Sequence, residues 1–158
     1  MSAFSKKLLI SAGLLSAMAL TACTAATPII VERSAIVKTL PPCPDSPNCV
    51  STQAPREDAQ HYIEPIIYTG NAADARQRLL DVIAAMPRTN IVTSEETYIH
   101  ATFTSLIFRF VDDVQFVIDD ATKTIHFRSA SRVGRGDMDV NRNRMEEIRA
   151  RFNQAAVP

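Results

Sequence analysis

Apolar positions follow three patterns along this chain: an unbroken run, a two-residue alternation and a helical spacing. The run is Leu8 to Leu20, directly behind Lys6 and Lys7. From Thr24 to Pro42 no period is clear, with Pro28 near one end and Pro41-Pro42 at the other. Alternation begins at His61 to Thr69, where Tyr62, Glu64 and Ile66 oppose Ile63, Pro65 and Ile67. That predicts a short edge strand, because Pro65 has no N–H to give a ladder. Asn71 followed by Asp74 is an N-cap signature, and Ala75, Leu79, Val82, Ile83 and Met86 then share one helical face until Pro87 ends it. Strands are predicted at Thr89 to Ser94, Tyr98 to Thr104, Leu106 to Ile118 and Lys123 to Ser131, with turns at 95–97 and 119–122. A last helix is predicted from about Val140 to Phe152, with Val140, Met145, Ile148 and Phe152 as its stripe.

Strands joined by short turns are antiparallel, and two amphipathic helices can cover one face. The expected fold class is therefore α+β: two layers, an antiparallel sheet of four to five strands with two helices on one face. The expected organisation is a lipoprotein signal peptide at 1–22, an acylated tether at 23–42 and a single domain at 43–158.

The signal reading rests on the first run. About 13 apolar residues are too few for a bilayer span of about 20. A buried helix, or an ordinary secretory signal with an incidental cysteine, is the plain alternative. Leu20-Thr21-Ala22-Cys23, however, resembles the bacterial lipobox, whose cysteine is diacylated and becomes the new N-terminus. The implied partner is a lipid bilayer, held through acyl chains on Cys23. Thr24 stands where an Asp would resemble an inner-membrane retention signal, which favours the periplasmic face of the outer membrane in a Gram-negative cell. Fully extended at about 3.3 Å per residue, the tether reaches some 60 Å.

Charge and cysteine content refine this picture. Basic and acidic side chains both number 17, and loss of residues 1–22 removes Lys6 and Lys7 and no acid. The mature chain carries no net basic field towards nucleic acid. Absence of Trp weighs weakly against base or sugar stacking. Besides Cys23, only Cys43 and Cys49 are present, with five residues between them, Pro44 and Pro47 included. In an exported chain this pair reads as a structural disulfide. The rivals are a redox pair, which lacks the close two-residue spacing, and a metal site, which lacks a neighbouring His.

Three stretches together resemble the domain of unknown function 1499 family of bacterial and plastid-type proteins. They are Cys43 to Ser51, Phe108 to Val114, and Arg128 to Gly134 running into Asp137 and Asn141-Arg142-Asn143-Arg144. The resemblance covers roughly Leu40 to Phe152. Arg135-Gly136 and Met138-Asp139 depart from it, where an aromatic and a glycine are expected. The family's activity is unassigned, so the resemblance implies no catalytic residue.

A nucleophile elbow, a phosphate-cradling glycine loop and a histidine zinc motif are absent from the sequence, so neither cofactor nor metal is expected. His61, His100 and His126 read as solvated or hydrogen-bonded side chains, the last two on the sheet face opposite the core. Alternation singles out a polar cluster instead. Asp112 shares a face with Phe108, Phe110, Val114, Phe116 and Ile118, and an acid in an apolar row needs a partner. Ser129 and Ser131 continue the face of Ile125 and Phe127, while Arg128, Ala130 and Arg132 take the other. The candidate cluster comprises Arg109, Asp112, Asp113, Arg128, Ser129, Ser131, Arg132, Asp137, Asn141 and Arg144. Helical spacing turns Asn141 and Arg144 towards the sheet, so Arg144, with Arg132 as second candidate, is expected to neutralise Asp112. Three readings compete: an internal network locking the last helix, a pocket for an anionic small molecule or envelope component, and a hydrolase-like or ligand-modifying enzyme with Asp112 or Asp113 as base. The expected function is a non-catalytic binding or structural accessory of the envelope.

Overall fold

The computed structural model describes residues 39–155. The signal run, Cys23 and most of the tether lie outside the described residues. The elements in chain order are β1 (Cys49–Ser51), β2 (Ile66–Ile67), α1 (Ala72–Ala84), β3 (Thr89–Ser94), β4 (Tyr98–Thr104), β5 (Val111–Asp119), β6 (Thr124–Ser131) and α2 (Val140–Gln154). The fold is α+β, with a wholly antiparallel sheet in the order β1-β6-β5-β4-β3. β2 also pairs with β6, at Ile66↔Ile125, so β1 and β2 share one edge of that strand end to end.

One face is apolar and lies under both helices. Ile99, Ala101 and Phe103 of β4, Val114, Phe116 and Ile118 of β5, and Ile125 and Phe127 of β6 meet Leu79 and Ile83 of α1 and Met145, Ile148 and Phe152 of α2. Each of these side chains other than that of Ala101, when fully buried, contributes about 1.5 to 3 kcal/mol. The helix ends explain the lengths of α1. Asn71 Oδ1 accepts from the Asp74 amide at 2.8 Å and starts the helix. Thr89 Oγ1 donates to the Met86 carbonyl at 3.1 Å and covers one of the open carbonyls beyond its last turn.

Four expectations are corrected. The strand expected from Leu106 starts only at Val111, and 105–110 form the β4–β5 hairpin loop. Thr104 pairs with Val111, and a lone Ser105 could not reverse the chain, since the tightest common hairpins use two residues. Arg109 sits at φ 57° in that loop. Phe108 and Phe110 consequently stand in solvent and do not share the face of Asp112. Val140 is likewise exposed, and the apolar stripe of α2 is carried by Met145, Ile148 and Phe152 alongside buried Asn141. The edge strand expected over 61–69 shrinks to Ile66–Ile67, and the sheet gains β1, which alternation did not suggest. Leu40, read as tether, is buried and its amide donates to Gln53 Oε1 at 3.0 Å, so the packed domain begins before Cys43.

Cys43 and Cys49 form a disulfide with Cα atoms 5.7 Å apart. Closing so short a loop constrains the unfolded chain by about 2 to 3 kcal/mol at most. Alkylation of the unreduced mature chain followed by intact mass should add no alkyl group at Cys43 or Cys49. Two added groups there would mean free thiols.

Candidate functional site

Strand alternation divides the candidate cluster between the two faces of the sheet. Asp112 points inward because it alternates with Val114, Phe116 and Ile118. Register sets Asp112 opposite Ser131 and Val114 opposite Ser129, so both hydroxyls stand beside the acid on the covered face. Asn141 and Arg144, three residues apart and hence neighbours on α2, descend onto them.

The bonds close on themselves. Arg144 Nη2 donates to Asp112 Oδ2 at 2.5 Å, with the two side chains 10% and 6% exposed. Arg144 Nη1 donates to Ser129 Oγ at 3.1 Å and to Asn141 Oδ1 at 2.8 Å, and the Ser129 hydroxyl donates to Asn141 Oδ1 at 2.5 Å. The guanidinium carbon lies 4.8 Å from the centre of the Phe103 ring, a cation–π contact. Asn141, fully buried, sends its amide nitrogen to Asp137 Oδ2 at 2.6 Å, Ser131 Oγ at 3.0 Å and the Asn48 carbonyl at 3.1 Å. Two N–H groups facing three acceptors means that at least one is shared. Asp137 Oδ2 also accepts the Asn141 backbone N–H at 2.8 Å, which satisfies a first-turn donor of α2 although Asp139 makes no side-chain cap.

Asn48 is the member that sequence reasoning missed. It sits next to Cys49 in the disulfide loop, is buried, and donates its amide to the Gly134 carbonyl at 2.8 Å. Gly134 adopts φ 86°, a conformation that favours glycine. The network thus ties the disulfide loop, β5, β6 and the start of α2 to one another. The three motifs behind the family resemblance meet in it.

The opposite face holds a separate set. Asp113 accepts from Arg132 Nε at 2.8 Å and Nη2 at 2.9 Å, and meets His100 Nε2 at 2.8 Å. Arg132 is therefore the partner of Asp113 and not of Asp112. Its hydrogen bonds hold the Asp113 carboxyl below the usual range, with burial opposing. Arg128 on this face reaches the Pro42 carbonyl at 3.4 Å, and half-burial lowers its pKa. Arg109 belongs to neither set and stands exposed at the hairpin loop.

A third polar group is new. His61, expected on a strand, lies in the loop after β1, with Nδ1 2.6 Å from Asp58 Oδ2 and Nε2 3.2 Å from the Ser46 carbonyl oxygen. Its hydrogen bond lowers the Asp58 pKa. The ring borders a cavity of about 360 Å³ whose walls include Pro42, Cys43, Ser51 and Gln53. Ser51 Oγ accepts from the Gln53 amide at 3.2 Å. The three-residue spacing from Asp58 to His61 was the available signal. Among the described residues no group of three His, Cys, Asp or Glu side chains could hold a metal ion.

Residues 39–152 match the family described as Protein of unknown function (DUF1499), and the chain belongs to that family. No curated protein matches it.

Two measurements follow from this geometry. Removing one partner of a buried ion pair typically costs about 3 to 5 kcal/mol. Asp112→Ala should lower the melting temperature far more than Asp120→Ala, whose carboxylate is exposed and bound to Lys123; equally mild losses would remove Asp112 from the structural role. For Asp113 the folded pKa lies below the unfolded value of about 3.9, so its stabilisation is complete above that pH and is lost as pH falls through the folded value. Asp113→Asn should therefore flatten the acid limb of the stability curve, and an unchanged limb would contradict the pairing.

Proposed function

We propose that this chain is a bacterial envelope lipoprotein, cleaved before Cys23 and acylated there, whose domain is a non-catalytic binding or structural accessory at the periplasmic face of the outer membrane. The lipobox pattern supports the address, and the Cys43–Cys49 disulfide is in keeping with an oxidising compartment. Among the described residues no helix is long and apolar enough to cross a membrane.

The observation that carries the accessory reading is the closure of the buried network. Asp112, Asn141 and Arg144 direct their polar groups at one another and at Ser129, Ser131 and Asp137. The enzymatic alternative needs Asp112 or Asp113 as a base, and each carboxylate is instead held by an arginine.

A second reading has one specific support. A cavity of about 530 Å³ opens beside the network, its apolar walls including Phe103, Leu106 and Val140 and its charged ones Arg88, Arg144, which is paired with Asp112, and Arg151, which is paired with Glu147 of the same wall. Such a lining suits an anionic amphiphile, as arginine forks match phosphate or carboxylate. Native mass spectrometry of the purified chain would reveal a retained small molecule and favour this second reading.

Metabolic labelling with a fatty acid should mark the wild type and leave Cys23→Ala unmarked, and the variant should leave the membrane fraction. Equal labelling of both would defeat the lipoprotein reading.

A further inference from the structure

The large exposed apolar side chains of the domain are gathered at one end of the sheet. Of the ten among the described residues, seven lie there. Leu106, Ile107, Phe108 and Phe110 form the β4–β5 hairpin loop, with Ile107 77% and Phe108 72% exposed. Val133, Met138 and Val140 come from the segment between β6 and α2, with Met138 91% exposed. The two loops are neighbours, because the Arg132 amide donates to the Val111 carbonyl at 3.0 Å, and Leu106 and Val140 line the same cavity. Leaving so much apolar surface in water is unfavourable, and contiguous patches of this kind mark interaction sites.

We propose that this end of the domain inserts shallowly into the interface of a phospholipid bilayer. The inference rests on the lipoprotein reading for its biology and identifies a second contact with the same membrane. The form of the patch favours lipid over a protein partner. Its side chains stand out from a hairpin end with most of their surface free, and the Phe108 and Phe110 rings stack at 5.5 Å. Such a tip suits a deformable boundary of headgroups and acyl chains, where aromatic and aliphatic side chains partition together.

Charge agrees in sign. Arg88, Arg109 and Arg135 are exposed around the tip. Of the acids nearby, Asp113 is neutralised by Arg132, while Asp137, hydrogen-bonded to the neutral amide of Asn141, and exposed Asp139 keep their charges against the three arginines. The remaining balance is slightly positive and complements anionic headgroups. Chain length permits the contact, since the 15 residues from Thr24 to Lys38 span up to about 50 Å when extended. A domain held through Cys23 can therefore lay its tip on the bilayer that anchors it.

The chain has no tryptophan, so one placed at the tip reports alone. The experiment uses the mature chain with Cys23→Ala, which carries no acyl group, and introduces Phe108→Trp at the tip or Ile67→Trp as an exposed control at the opposite end of β6. Vesicles of phosphatidylcholine and phosphatidylglycerol should shift the Phe108→Trp emission to the blue, and brominated acyl chains should quench it. The Ile67→Trp emission should do neither. Ile107→Asp with Phe110→Asp, both at exposed positions, should weaken vesicle partitioning about tenfold or more without lowering the melting temperature. Absence of quenching at position 108 would overturn the proposal, as would a blue shift that grows with protein concentration in the absence of vesicles, which would indicate a second copy on this face. Because this chain is unacylated, a negative result here and a negative fatty-acid label on Cys23 are separate findings.

Discussion

The contact between Asp112 and Arg144 governs this domain because both charges are withdrawn from water. An arginine and an aspartate at a dry sheet–helix seam are tolerated only when each meets a partner with good geometry and the remaining polar atoms are also satisfied. Ser129 and Asn141 supply that satisfaction. Mixed apolar and ionic packing also fixes orientation: Met145, Ile148 and Phe152 would accept several rotations of α2, whereas Asn141 and Arg144 accept few. The helix therefore gains its position from polar groups and most of its binding energy from apolar ones.

Antiparallel register extends this constraint across the sheet. Asp112 and Asp113 are adjacent in sequence, yet the pleat sends one to a buried arginine and the other to a half-exposed arginine and histidine. The two acids consequently differ in burial and in the partner that balances each charge. Arg132 could not serve Asp112, because it shares its face of β6 with Arg128 and Ala130, opposite that of Ser129 and Ser131. A period of two thus decides partners that proximity in sequence leaves open.

Long periodic segments were legible before any coordinates: β3, β4 and α1 start where alternation, N-cap chemistry and Pro87 place them. The inward turn of Asn141 and Arg144 was legible for the same reason. Pattern failed where composition mimicked structure. Leu106 to Phe110 carry the side chains of a strand, but the hairpin must reverse there, and the demands of chain reversal outweigh strand propensity. Val140 was drawn into the stripe by its apolarity, although Asn141 occupies the buried position. Asn48 and β1 escaped notice because three residues carry too little alternation, and because the contacts of Asn48 with Gly134 and Asn141 join positions distant in sequence.

The network and the apolar tip are adjacent for a physical reason. A loop that presents bulky apolar groups to its surroundings cannot use burial to order itself, so its ends must be held by other forces. Here the segment between β6 and α2 is fixed at Gly134 by the Asn48 amide and at Asp137 by Asn141. The hairpin loop is fixed at its base, where Ser105 N–H donates to the Phe110 carbonyl and Ser105 Oγ accepts from the Phe110 amide, both at 2.8 Å. Phe108 can then stand in solvent on Phe110 without collapsing onto the core. The disulfide restrains Asn48 through its neighbour Cys49, and Asn48 in turn bonds Gly134 and Asn141. A covalent constraint in the first described loop is in this way transmitted, through two amide side chains, to the presentation of an apolar surface at the end of the sheet.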